Sequence, residues 1–174
     1  MSAELPLGPD VAAVVEAVPA RRACVVLLGG RPFAVDVMDA REVVLVDATT
    51  TVPGAPATVV GVMHLRGRVL AVIEARPLLG MPVPPASGRP RALVVADGDH
   101  RAAVLIDRVV GLAAFDEIEP LPSPPTDGLV AGYLVDEAGD RIAVLDVRAL
   151  LVTVRAAWTP DGLSRAAVPS TPGA

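Results

Sequence analysis

Cysteine is almost absent from this chain, and its scarcity excludes two common ways of stapling a small domain. The 174 residues include a single cysteine, Cys24, so no internal disulfide and no cysteine-based zinc cluster is possible. Cys24 lies inside the apolar run ACVVLLG. We therefore expect a buried thiol that behaves as a small hydrophobic side chain.

Aromatic rings and excess positive charge are also lacking. Aromatic residues make up 2% of the chain, and 15 basic against 20 acidic residues give a net charge of −5. Nucleic-acid-binding proteins rely on a basic surface and often on rings that stack on bases. The composition therefore argues against that class. The hydrophobic residues, 52% of the chain, are mainly aliphatic, and the abundance of β-branched valine favours strands.

No stretch of the sequence has the features of a secretory signal or of a membrane span. The first ten residues, MSAELPLGPD, lack a basic start followed by a long apolar run. The longest run without Asp, Glu or Arg, residues 48–65, is interrupted by Pro53 and Pro56. We expect a soluble, cytoplasmic protein.

Short apolar runs separated by turn residues recur along the chain and indicate its fold class. Gly29-Gly30 and Asp97-Gly98 each join two such runs, as in a hairpin, and Gly67 and Gly139 mark further turns. About ten strands result, with no long amphipathic helix, which predicts an all-β barrel or sandwich. The segment ARPLLG fits one helical turn closed by Gly80, and RALLVTVRAAW fits either a short helix or a strand.

The distribution of proline and polar residues predicts three parts. Residues 1–22 would be an N-terminal extension, with a short helix after Asp10 as its N-cap. Residues 23–151 would form the folded domain, as two subdomains with a seam in the proline-rich loop near 80–90. Residues 152–174 would be a C-terminal segment and flexible tail.

The sequence offers no recognisable catalytic or metal-binding motif. The two histidines, His64 and His100, are not at metal-ligand spacing; we expect the first on the surface of a strand and the second in a turn. There is no GxSxG, no P-loop, no GxGxxG after a strand, and no nucleophile with a base at a known spacing. We therefore expect no cofactor and no metal, and nothing in the sequence argues for an enzyme.

Four motifs nevertheless occur in a specific order. VVLLGGRPFAVDVMDAREVV contains Arg41-Glu42 after a strand pair, and GVMHLRGRVLAVIEAR has the form Gly-Val-(two residues)-Leu-Arg-Gly. AAVLIDRVVGLAAF carries a Val-Leu-Ile-Asp segment, and the hairpin LVAGYLVDEAGDRIAVLDVRALL ends in Leu-Asp and then Leu-Leu. Over roughly residues 23–151 this order resembles the CheW family, the adaptor proteins of bacterial chemotaxis arrays.

The resemblance implies a fold, a function and two partners. The family fold is all-β, with two intertwined five-stranded SH3-like β-barrel subdomains and short helical turns. A CheW-like adaptor catalyses nothing; it couples the cytoplasmic tip of a chemoreceptor to the regulatory domain of a CheA-type histidine kinase. Such an adaptor is recruited from the cytoplasm to receptor arrays, and it neither binds nucleic acid nor inserts into the membrane.

The resemblance also implies two docking surfaces. The receptor-binding groove would include Leu65, Arg66, Gly67, Asp107 and Val109. The kinase-binding surface would include Glu42, Val43 and Gly61. From the residues alone, two alternatives stay open: Arg66 fits equally well a tie between the barrels, and Asp107 fits a turn that accepts backbone hydrogen bonds.

Departures from the family pattern leave other functions open. Ala40 stands where the family commonly has valine, Ala71 replaces a usual proline, and Glu74-Ala75-Arg76 replaces Asp-Leu-Arg. The first change removes apolar area from the expected kinase contact, so an accessory protein that binds the receptor without coupling to the kinase is one alternative. A lone regulatory barrel of a chemotaxis kinase and a ligand-binding or enzymatic β-barrel are more distant ones.

Overall fold

Ten strands, one α-helix and one short 3-10 helix make up the regular structure of the described residues. A computed structural model describes residues 21–85, 88–122, 128–136 and 139–158. The first five strands are β1 (Arg21–Leu28), β2 (Arg31–Asp36), β3 (Ala40–Leu45), β4 (Val59–Leu65) and β5 (Arg68–Ile73). The remaining elements are β6 (Arg91–Asp97), β7 (His100–Ile106), β8 (Arg108–Phe115), β9 (Val130–Val135), β10 (Arg141–Leu145) and the helix α1 (Val147–Ala157). The mostly-β class with about ten strands is confirmed.

The structure shows the conformation of two segments, one that we expected to be a helical turn and one that the sequence left open between helix and strand. A short 3-10 helix, Pro77–Leu79, follows β5 and ends at Gly80, as expected from ARPLLG. The closing segment, for which the sequence allowed helix or strand, is α1. The expected N-terminal helix and the tail from residue 159 lie outside the described residues. Among the described residues, regular structure extends from Arg21 to Ala157, slightly outside the expected domain limits of 23 and 151.

The strands form two sheets of five with the same topology. The sheet β3-β6-β7-β5-β4 is called here the central barrel, and the sheet β8-β1-β2-β10-β9 the terminal barrel. The two orders correspond strand by strand: each strand of the central barrel has the same place in its sheet as one strand of the terminal barrel. The corresponding pairs are β3 and β8, β4 and β9, β5 and β10, β6 and β1, and β7 and β2. The parallel pairs obey the same correspondence: β5 with β7 and β10 with β2. The expected pair of five-stranded, SH3-like subdomains is confirmed.

Each sheet curls until its two edges meet through the loop after one edge strand. Thr50, beyond β3, exchanges two backbone hydrogen bonds with Val62 of β4, at 2.8 and 2.9 Å. Glu119, beyond β8, exchanges two with Tyr133 of β9, at 2.7 and 2.9 Å. These bridges leave less open strand edge, the part of a sheet most prone to pairing with other chains.

The expected seam in the loop from 80 to 90 is wrong. Both strands that flank this loop, β5 and β6, belong to the central barrel. The chain changes barrels between Asp36 and Ala40, and again between Ile106 and Arg108. The central barrel is therefore one continuous stretch, whereas the terminal barrel takes strands from both ends of the chain. The proline-rich composition of this loop suggested a boundary between subdomains, but the loop is a crossover connection between two strands of one sheet.

Three apolar cores explain the runs of consecutive hydrophobic residues. In β1, Ala23 and Val25 point into the terminal barrel, whereas Cys24, Val26 and Leu28 point into a core shared by both barrels. Neighbouring side chains on a strand face opposite sides, so a strand buried on both faces reads as a continuous apolar run. Strand β6 repeats the arrangement between the shared core and the interior of the central barrel.

Helix α1 packs onto the shared core. Asp146 caps it, because its carboxylate accepts a hydrogen bond from the backbone N–H of Ala149 at 2.7 Å. The buried positions Val147, Leu150 and Val154 are spaced three and four residues apart, and so form one face of the helix. The amphipathic pattern, rather than strand alternation, decides the conformation of this segment.

Candidate functional site

The motif Leu65-Arg66-Gly67-Arg68 forms a tight hairpin between β4 and β5. Leu65 pairs with Arg68, and the two residues between them have φ of +48° and +81°. Positive φ at both central positions is the signature of the turn whose twist matches adjoining strands. Gly67 adopts this conformation readily, as expected from the sequence. Arg66 is the one non-glycine residue with positive φ in the described part of the chain, a conformation that this hairpin requires, and its side chain takes part in an ion pair.

Glu42 of β3 supplies that interaction. One terminal nitrogen of Arg66 lies 3.0 Å from a carboxylate oxygen of Glu42. The two residues were expected on different docking surfaces, yet they are in direct contact. Glu42 lies on one edge strand of the central barrel and Arg66 directly follows the other, so the ion pair is a second link across its closure. Because the Arg66 side chain is 78% exposed, the pair stabilises the fold by only about 0–1 kcal/mol and stays open to a partner.

Exposed apolar residues follow Glu42 along the edge strand β3 and alternate with it, so they lie on the opposite face of this strand. Val43 and Leu45, on β3 beyond Glu42, are 42% and 45% exposed. Leu65 is half-buried against the interior of the central barrel. Glu42, Val43, Leu45, Leu65 and Arg66 together are called here the β3–β4 patch. It combines apolar area with a charged pair of fixed geometry, a combination typical of protein interfaces.

Asp107 lies elsewhere and has partners of its own. Its carboxylate accepts a hydrogen bond from the backbone N–H of Gly30 at 2.8 Å and pairs with a terminal nitrogen of Arg76 at 2.7 Å. The alternative in which Asp107 accepts a backbone hydrogen bond in a turn region is therefore observed. Its side chain is 30% exposed. Val109, two residues on in β8, is 37% exposed.

Arg76 is the centre of a buried network that joins the two barrels. It contacts Glu74 at 2.5 Å in addition to Asp107, and the side chains of Arg76 and Glu74 are 7% and 8% exposed. Glu74 and Arg76 follow the central barrel's β5, whereas Gly30 belongs to the β1–β2 turn of the terminal barrel. The Glu74–Arg76–Asp107–Gly30 group is called here the inter-barrel clamp. Arg76, not Arg66, is the arginine that ties the barrels together.

Gly61, expected on the kinase surface, has an architectural role. A Cβ at this position would lie 2.6 Å from the backbone oxygen of Thr50, which closes the central barrel. Gly132 has the same relation to the oxygen of Glu119 in the terminal barrel. A side chain at either position would push apart the backbone bridge that closes its barrel. Neither role was visible in the sequence, because the two closing loops are remote from the glycines along the chain.

A cleft at the start of β1 was also missed by sequence reasoning. It has a volume of about 480 Å³ and is lined by Arg21, Arg22, Asp36, Val37, Met38 and Asp39. Met38 is 73% exposed, an unusual position for a large apolar side chain. Burial raises the pKa of Asp39, and the carboxylates of Asp36 and Asp97 raise it further. Three of its lining residues, Val37, Met38 and Asp39, form the short connection between β2 and β3, in which the sequence offers no recognisable motif.

The remaining titratable residues of interest in the described part of the chain are two histidines and one cysteine. Within the described ranges, no three His, Cys, Asp or Glu side chains are grouped so as to hold a metal ion. His64 is exposed on β4, as expected. His100 is exposed at the start of β7 and contacts Arg155 at 2.7 Å. Cys24 is buried, and burial raises its pKa. None of the described helices is both long and apolar enough to span a membrane.

Comparisons with known proteins agree with this architecture. A solved structure, the scaffolding protein TtCheW from Thermoanaerobacter tengcongensis, superposes with a TM-score of 0.67 at 25% identity, covering 75% of this chain and 90% of that one. The chemotaxis protein CheW of Helicobacter pylori is 29% identical over 121 residues, 68% of this chain and 73% of the relative. Protein FrzA of Myxococcus xanthus is 28% identical over 154 residues, 86% of this chain and 96% of the relative.

The match to a family model covers nearly all of the described structure. The CheW-like domain model matches residues 22–155, from the start of β1 into the last turn of α1. The resemblance read from the four motifs is thus confirmed. This chain belongs to the CheW-like domain family.

Proposed function

We propose that this protein is a non-catalytic adaptor in chemotaxis-like signalling, and that it couples a chemoreceptor's cytoplasmic tip to a CheA-type histidine kinase. The observation that carries the proposal is the β3–β4 patch, in which the motif residues Arg66 and Glu42 are paired at the edge of the central barrel and exposed Val43 lies on the other face of the same edge strand. The relatives named CheW, and the solved scaffolding protein that shares the fold, support the same role. The adaptor requires no cofactor and acts in the cytoplasm at receptor arrays.

Glu42 and Val43 would contact the regulatory domain of the kinase. An exposed ion pair across that interface would contribute about 0–1 kcal/mol, so most of the affinity must come from apolar contact. Val43 and Leu45 supply exposed apolar area on the same strand. Gly61 would act indirectly, by keeping β4 closed against Thr50.

Leu65, Arg66, Gly67 and Val109 would contact the receptor tip. A free guanidinium terminus on Arg66 remains available to a carboxylate or carbonyl of the receptor, because the side chain is 78% exposed. Asp107 would act mainly through the inter-barrel clamp, since both of its carboxylate oxygens already have partners. Asp107 stays in the proposed receptor-binding groove because its side chain is 30% exposed.

The test is co-sedimentation with receptor cytoplasmic fragments, with and without the kinase regulatory domain. Binding to both partners in one complex supports the coupling role. Binding to the receptor alone would identify the accessory protein as the correct alternative. Binding to neither partner would contradict the proposal and favour a ligand-binding barrel.

Charge variants then separate the two surfaces from the fold. We expect Arg66→Glu to weaken receptor binding and Glu42→Arg to weaken kinase binding, each with a circular-dichroism melt close to that of the unmodified protein. The double exchange restores an ion pair between β3 and β4 but reverses both charges, so it should recover any lost stability without recovering binding. Arg68→Glu, on the same hairpin but outside the pair, is the matched control and should bind normally. Outright unfolding of Arg66→Glu would assign Arg66 to scaffolding instead.

A further inference from the structure

A second concave surface lies on the central barrel, between the C-terminal half of α1 and the strands β5 and β7. Its volume is about 290 Å³. Six of its lining residues are apolar and three are basic: Ala71, Ile73, Ala102, Leu151, Val154 and Trp158, with His100, Arg101 and Arg155. We call it the α1 groove. None of its residues belongs to the β3–β4 patch or to the inter-barrel clamp.

The groove exists because two small side chains face each other beneath the helix. Ala71 of β5 is paired with Ala102 of β7, and both contact the shared core. The terminal barrel has the same pair of parallel strands, with Ala143 of β10 opposite Phe33 of β2. Phe33 is 3% exposed, so the corresponding position of the terminal barrel holds a large buried side chain. The two barrels share their topology, so Ala102 is a small residue at the position where the terminal barrel has Phe33.

The polar residues that line the groove are all basic, and the acidic residues Asp97 and Asp99 lie outside the lining in the adjacent β6–β7 turn region. Among the described residues that line it, the three polar ones are basic and none is acidic. Arg101 and Arg155 are exposed, and a terminal nitrogen of Arg155 lies 2.7 Å from a ring nitrogen of His100. The chain as a whole carries a net charge of −5, so this basic rim stands out from the average surface. An apolar floor with a basic rim complements a segment that has an apolar anchor and flanking carboxylates.

We propose that the α1 groove is a docking site for an acidic peptide segment of a partner protein, with one bulky apolar side chain inserted between α1 and the alanine pair. The volume is at the lower limit of ligand pockets, which fits a single anchoring side chain and not a larger ligand. Carboxylates on either side of the anchor would reach Arg101 and Arg155. The site is additional to the proposed receptor and kinase surfaces and shares no residue with them.

The groove contains its own optical reporter. Trp158 is the single tryptophan of the chain and lines the groove. Three synthetic hexapeptides are therefore titrated against the full chain while its fluorescence is recorded. The first carries Leu-Phe between two pairs of Glu, the second replaces every Glu by Lys, and the third keeps the Glu residues but replaces Leu-Phe by Gly-Gly. We expect a saturable blue shift of the emission with the first peptide and none with the other two.

Variants of the rim and floor show whether the signal comes from this groove. Arg101→Glu combined with Arg155→Glu should weaken binding of the acidic apolar peptide about five- to tenfold or more, because two exposed pairs are replaced by repulsion. Arg148→Glu, exposed on the same helix but outside the groove, should leave binding unchanged. Ala102→Phe copies Phe33 and should abolish binding; if it destabilises the fold, the rim variants at exposed positions still decide.

Four results would overturn the proposal. Equal or tighter binding of the Lys peptide would refute the charge argument, and no saturable shift with the first peptide would refute docking. A shift of the Trp158 emission on replacing Leu163 or Val168 by Gly, with no peptide present, would identify the chain's own C-terminal segment as the occupant. A concentration-dependent rise in sedimentation coefficient that Ala102→Phe abolishes would identify a second copy instead.

Discussion

Replacing Arg76 by methionine tests the claim that the inter-barrel clamp holds the two barrels together. Methionine keeps much of the length and apolar area of the arginine stem but removes the charge. The variant leaves Glu74, whose side chain is 8% exposed, with no cation in contact. It also leaves Asp107 with only the backbone N–H of Gly30 among the contacts described above.

The expected loss follows from burial. Removing one partner of a buried ion pair costs about 3–5 kcal/mol, because the remaining charge stays desolvated. The contact with Asp107 adds little, since that side chain is 30% exposed. The Nε of Arg76 is buried and has no hydrogen-bond partner among the described residues, and methionine removes the desolvation cost of this group. We therefore expect a loss at the lower end of the range, near about 3 kcal/mol. For a chain of this length, about 3 kcal/mol lowers the Tm by about 6–12 °C.

The assay is urea unfolding at pH 7, followed by far-UV circular dichroism. The double variant Arg76→Met with Glu74→Leu replaces the buried pair by apolar side chains and should recover at least half of the loss, because no isolated buried charge remains. A single-variant loss below about 1 kcal/mol, or a double variant no more stable than the single one, would refute the reasoning.

Three further predictions concern the fold and its buried groups. Gly61→Ala should destabilise the protein by about 1–3 kcal/mol in urea unfolding, because its Cβ would meet the oxygen of Thr50. The control Gly111→Ala, where a Cβ meets nothing within 4 Å, should cost less than about 1 kcal/mol. Equal losses in the two variants would contradict the role of Gly61 in closing the barrel. The pKa of Asp39 lies above its ordinary 3.8, so the folded state disfavours the ionised carboxylate, and Asp39→Asn should raise stability at pH 7 by less than about 1 kcal/mol. The gain should vanish as the pH falls below 3.8, because the carboxylate of the unmodified protein is then protonated. A gain that persists at pH 3 would exclude ionisation as its cause. Cys24 should react with a thiol reagent such as dithionitrobenzoate only after unfolding, because burial raises its pKa and blocks access; rapid labelling of the folded protein would disprove this.

The ion pair between Arg66 and Glu42 changes how the two proposed docking surfaces relate. Read from the motifs, the receptor and kinase residues formed separate sets. The structure brings one member of each set into contact at 3.0 Å, Glu42 on one edge strand of the central barrel and Arg66 in the turn after the other. A partner that binds Glu42 therefore competes with Arg66 for the same carboxylate. If the proposed function is correct, occupancy at one surface would alter the charge presented at the other.

The residues that sequence reasoning placed correctly are those whose behaviour is local. The turn at Gly67 follows from backbone preferences of neighbouring residues, and Gly80 ends its helical turn for the same reason. The structural roles of Gly61 and Asp107 were not predictable in this way. Gly61 is constrained by Thr50, 11 positions away, and Asp107 by Arg76, 31 positions away. Contacts of that range depend on how the sheets close, which no short pattern encodes.

The sequence by itself determined the β class, the strand count, the family and the buried state of Cys24, because apolar runs and turn residues act over a few positions. The tertiary structure alone decided where the chain crosses between the barrels. It also decided that Arg76 is buried in the inter-barrel clamp whereas Arg66 contacts Glu42, and that a groove lies beside Ala102, at the position that corresponds to Phe33 in the terminal barrel. These features arise from strand order and the pairing of distant residues, and a change of sheet leaves no mark on local composition.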